Sequence, residues 1–103
     1  MKAAALVLAL AAAWPAAHAE FYTGNELLQR MRSDTHSVIV LGYIAGVVDA
    51  QRGFLACPPA DVSLGQLYEM LRNYLERNAH QRHFAGDILI AGMTGTTWPC
   101  KKS

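Results

Sequence analysis

The residues able to do chemistry in this chain are few, and their spacing limits what they can do. Cysteine occurs twice, at Cys57 and Cys100. His80 and His83 stand three apart, close enough to share one face of a helix. Ser33, Ser37 and Ser63 sit in polar breaks or at a helix start, with no nucleophile-elbow pattern around them. Asp49 and Asp87 are single carboxylates in apolar surroundings, not an acid–base pair. The glycines of "AGMTGTT", Ala91 to Thr97, lack the lysine and the preceding strand of a phosphate-binding loop. The sequence therefore offers no catalytic constellation and no cofactor cradle. It reads as a binding protein and not as an enzyme.

The two cysteines have to be read with the N-terminus. Lys2, the apolar run Ala3 to Trp14, Pro15 and the small residues of "AHA", Ala17 to Ala19, have the three regions of a secretory signal peptide. Cleavage after Ala19 is expected, which makes residues 1–19 the signal and residues 20–103 the mature domain. A retained anchor is the rival, but the run falls short of the roughly 20 residues that a membrane span needs. In an exported chain an even cysteine count points to a disulfide. A bridge from Cys57 to Cys100 is worth about 4 kcal/mol in the chain-entropy model, a large share of the stability of so small a domain. The competing use is a metal site built from Cys57, Cys100, His80 and His83. No C-x-x-C and no histidine-rich tract supports it, and the disulfide is preferred.

Charge excludes another class. The chain carries 9 basic and 8 acidic residues, and loss of Lys2 with the signal leaves it formally neutral. The only basic run is Lys101-Lys102 at the end, so no nucleic-acid partner is expected.

The elements that must position these residues are helical. Thr23 with Glu26 three later, and Tyr22 spaced to pack on Leu27, predict a helix from Gly24 to about Arg32. "SDTHS", Ser33 to Ser37, breaks it. Val38 to about Gln51 follows, with Val40, Ile44, Val47 and Val48 at the spacing of one helical face and Gly53 as its stop. Pro58 and Pro59 mark a loop. Ser63 and Gln66 repeat the capping pattern, with Val62 spaced to Leu67, and predict a helix from Leu64 to about Arg77. Asn78 and Gln81 predict a last helix from Ala79 to about Met93, with Phe84, Ala85, Ile88, Leu89 and Gly92 at helical spacing. "TGTTWPC" then leads to Cys100. The fold class expected is all-α, a small bundle of about four helices with one disulfide joining loop to tail.

"GYIAGVVDA", Gly42 to Ala50, has the look of a ligand loop or of part of a membrane span. The first reading lacks a strand–turn context. The second fails on length, because the apolar run from Val38 to Val48 ends directly at Asp49. A soluble helix remains, on which Gly42, Gly46 and Ala50, four apart, form a groove for a close neighbour, in this chain or in a second copy. Asp49 ends that helix and "QRH", Gln81 to His83, opens the next. The favoured reading is structural: Asp49 pairs with Arg82 or caps a neighbouring backbone, and His83 is a hydrogen-bonded, half-buried residue. The alternative places Asp49, Arg82 and His83 on a partner surface.

"TGNELLQ", "GYIAGVVDA", "CPP" followed by "VSLGQLYEMLRNYLERN", and "RH" before a helix that leads to "WPC" occur in one order. Together they resemble the Rap/Tai family of periplasmic immunity proteins, over nearly the whole mature chain. The resemblance implies an all-helical fold with one disulfide and frequent homodimers. It also implies a periplasmic protein without catalysis of its own, which inhibits a peptidoglycan amidase effector of type VI secretion by covering its active-site cleft. The alternative function is an acid-stress chaperone of the HdeA type, in which His36, His80, His83 and the carboxylates would open apolar surface at low pH. The motif order favours the immunity reading.

Overall fold

The structure is a computed structural model and describes residues 21–101. The expected signal peptide and its cleavage site lie outside the described residues. Four α-helices follow one another: α1 (Gly24–Met31), α2 (Ser37–Gln51), α3 (Leu64–Arg77) and α4 (Gly86–Thr97), with a 3₁₀ turn at Ala79–Gln81 between the last two. Among the described residues there is no strand, only two isolated β-bridges. No described helix is long and apolar enough to cross a membrane.

Helices α1 and α3 begin where the capping patterns place them. The Thr23 hydroxyl accepts from the Glu26 amide and the Glu26 carboxylate accepts from the Thr23 amide. Ser63 and Gln66 make the same reciprocal pair. Each box satisfies amides that a helix start leaves without partners. Helix α2 ends at Gln51, and Gly53 takes the left-handed conformation, φ 96°, that a glycine adopts without strain.

The core is one cluster shared by all four helices. Leu27, Leu28 and Met31 from α1 meet Val40, Ile44 and Val48 from α2, Leu67, Leu71 and Leu75 from α3, and Leu89, Ile90 and Met93 from α4. Tyr22, Tyr43, Tyr74 and Trp98 pack around its rim.

The last helix differs from expectation at both ends. It starts at Gly86 and not at Ala79, because Asn78 is already used: its side-chain amide donates to the Tyr74 carbonyl and closes α3. The backbone that follows is recruited by the start of α1. Gly24 donates to Phe84, Asn25 to Arg82 and Gly86 to Tyr22, around an antiparallel bridge between Thr23 and Ala85. These bonds satisfy the orphan amides of α1 and hold residues 82–86 out of a helix. At the other end α4 continues through Thr97, and the Trp98 amide donates to the Thr94 carbonyl to close the last turn. The later start also rotates the apolar stripe. Ala85 and Leu89 are buried as expected, with Ile90, Met93 and Thr94, while Phe84 and Ile88 face solvent.

Candidate partner-binding surface

Three apolar or cationic features of the surface are left over when the core is complete. The first is the loop after α2. Its backbone is tightly held: the Gln51 carbonyl accepts from Phe54, Leu55 and Ala56, and Gly53 donates to Ala56. Arg52 Nη1 donates to the Pro58 carbonyl at 2.7 Å. The Cys57 amide donates to the Trp98 carbonyl, and the disulfide from Cys57 to Cys100 ties the loop to the chain after α4. Both cysteines are therefore consumed by the bridge. The loop also rests on α4, where a Cβ on Gly95 would lie 2.9 Å from the Leu55 carbonyl oxygen. Ala56 and Pro58 turn inward. Phe54 and Leu55 stay 67% and 52% exposed on a backbone with little freedom. Two large apolar side chains held in place in this way lose little entropy on docking.

The second feature is the outward side of α2. Val40, Ile44, Val48 and Gln51 face the core, and Val38, Ile39, Gly42, Gly46, Asp49 and Ala50 face away from it. A Cβ on Gly42 or Gly46 would meet nothing within 4 Å. Among the described residues no close neighbour meets these glycines, and the buried stripe of α2 lies on the opposite side.

The third is the connector between α3 and α4. The expected ion pair between Asp49 and Arg82 does not form. Asp49 lies on the outward side of α2, in a shallow depression lined also by Ala45, Arg52, Val62 and Leu64. Arg82 lies in the connector, where its carbonyl accepts from Asn25 at the start of α1. The Arg82 Nε is buried without a hydrogen-bond partner. His83 is exposed, and its ring stacks on Phe84 with centroids 4.3 Å apart. The structure separates the three predicted residues, Asp49 on one feature and Arg82 with His83 on another. Phe54 and Leu55 were not singled out by the sequence. The available signal was two large apolar residues directly after a glycine stop and shortly before a cysteine.

One further arrangement has a chemical look. Ser33 Oγ lies 3.1 Å from His36 Nδ1, beside a depression lined by Gln29, Arg30 and Ile39. Ser33 also meets Thr35 at 3.1 Å, and all three residues lie in the turn between α1 and α2. These local bonds shape the turn from which α2 starts. Among the described residues no group of three or more His, Cys, Asp or Glu is placed to hold a metal ion.

A family model described as Rap1a immunity proteins matches residues 23–100. Among curated proteins there is no match to this chain.

Proposed function

The chain belongs to the Rap1a immunity proteins, and from that membership we propose that it binds and inhibits a peptidoglycan amidase effector of a type VI secretion system. It acts in the periplasm, protects the producing cell, and works by binding and not by catalysis. The observation that carries this reading is the family match, which spans all four helices and both cysteines.

The surface suits such a role. An inhibitor that covers a cleft needs a projecting part that keeps its shape in water and presents apolar anchors. The loop Arg52–Cys57, with Phe54 and Leu55 at its tip, fits that description. The outward side of α2 serves as the homodimer face, on which Gly42, Gly46 and Ala50 let a second copy approach closely.

The test is growth. Cells that export a type VI peptidoglycan amidase of the producing strain should lyse, and co-expression of this chain with its expected signal peptide should restore growth. Full lysis in the presence of folded, exported protein would refute the proposal.

A further inference from the structure

We infer that the connector Arg77–Phe84 is the acid-recognising part of the partner interface, with Arg82 as its anchor and an acidic segment of the effector as its occupant. The inference rests on the immunity reading and adds the chemistry of the partner's contact.

From Arg77 to Gly86 the chain has two arginines, two histidines and no carboxylate. Arg77, His80 and His83 are exposed, and Arg82 is partly buried. A guanidinium withdrawn from water without a counter-charge is costly to a fold. The nearby carboxylates do not supply one. Glu26 is held by the Thr23 amide and hydroxyl. Glu76 and Asp87 flank the connector and form no ion pair with it among the described residues. Among the described residues this cation has no counter-charge.

The connector is also rigid. Arg82 and Phe84 lend their carbonyls to the start of α1, the Arg82 amide donates to Ala79, and the Tyr74 hydroxyl donates to Gln81 Oε1 at 2.6 Å. A pre-positioned guanidinium takes a carboxylate in two parallel hydrogen bonds with little further ordering cost. Phe84, 45% exposed, ends the connector and stacks on His83. Arginine and exposed aromatic residues are the types enriched in protein–protein hot spots. Two permanent cations are few for a membrane surface or a nucleic acid, whose binding grows with the number of charges engaged.

The experiment measures the affinity of the producing strain's type VI amidase for wild-type chain, Arg82→Gln, Arg82→Lys and Phe54→Ser, with each variant's melting temperature recorded. Arg82→Gln should weaken binding about tenfold or more at a melting temperature no lower than that of the wild type, with the Arg82→Lys affinity in between. Wild-type affinity should also fall as salt is raised. If Arg82→Gln unfolds, Arg82→Lys decides alone: equal affinity to wild type overturns the inference. Wild-type binding that is indifferent to Arg82 overturns it while the immunity reading stands, and Phe54→Ser then shows whether the loop carries the interface. No binding by the wild type sinks both. Phosphatidylglycerol vesicles serve as the second arm: association that depends on Arg82 would assign the cations to a lipid surface and overturn the inference.

Discussion

Gly24 and Gly86 on one side of the molecule, and Gly42 and Gly46 on the other, are the same residue in opposite settings. A Cβ on Gly86 would lie 2.7 Å from Leu27 and 3.0 Å from Tyr43, and one on Gly24 would lie 2.6 Å from Leu89. At Gly42 and Gly46 the same atom would meet nothing within 4 Å. The first pair lets the start of α1 press against the start of α4, where the Thr23–Ala85 bridge and its flanking bonds close the fold. The second pair weakens helix α2 without a contact in return among the described residues. The contrast separates the seam that closes the fold from the face proposed for pairing two copies.

The comparison can be broken in several places. Replacing both cysteines with serine should cost about 4 kcal/mol, seen as a lowered midpoint in denaturant. Hydrogen exchange should rise first in residues 52–57, since that loop buries only Ala56 and depends on the covalent tie. Gly86→Leu should cost about 3 kcal/mol through overpacking against Leu27 and Tyr43, measured by the same unfolding curve. Thr23→Ala removes one half of a capping box at the closed seam and should cost about 1 kcal/mol. Gly46→Ala should instead raise stability by about 0.5–1 kcal/mol, because the open face accepts a methyl group and alanine favours the helix. Gly46→Leu sharpens the point: its melting temperature should not fall, while a dimer seen by sedimentation should dissociate. A destabilised Gly46→Leu monomer would mean that the face is packed after all.

What the sequence revealed follows the range of the interactions. Helices α1 and α3 were legible because their capping residues lie three apart and act on their own helix. Helix α2 was legible from Val40, Ile44 and Val48, although its other side is nearly as apolar, and the pattern could not say which neighbour the glycines had. The start of α4 was not legible. Asn78 and Gln81 look like a helix start, but the amides that decide the matter belong to Gly24 and Asn25, far away in the chain. The disulfide followed from cysteine count and compartment. The Asp49–Arg82 pair failed for the same reason as α4: a late helix start moved Arg82 into a connector bound to α1.

The central proposal is that the outward-facing loop and connector bind an amidase partner, while the outward face of α2 pairs two copies. The most direct measurement is the release of peptide from purified peptidoglycan by the producing strain's type VI amidase, titrated with this chain. The account predicts that hydrolysis falls to background near equimolar protein, and that inhibition weakens when Phe54 is replaced by serine. Hydrolysis unchanged at a large excess of folded chain would contradict it.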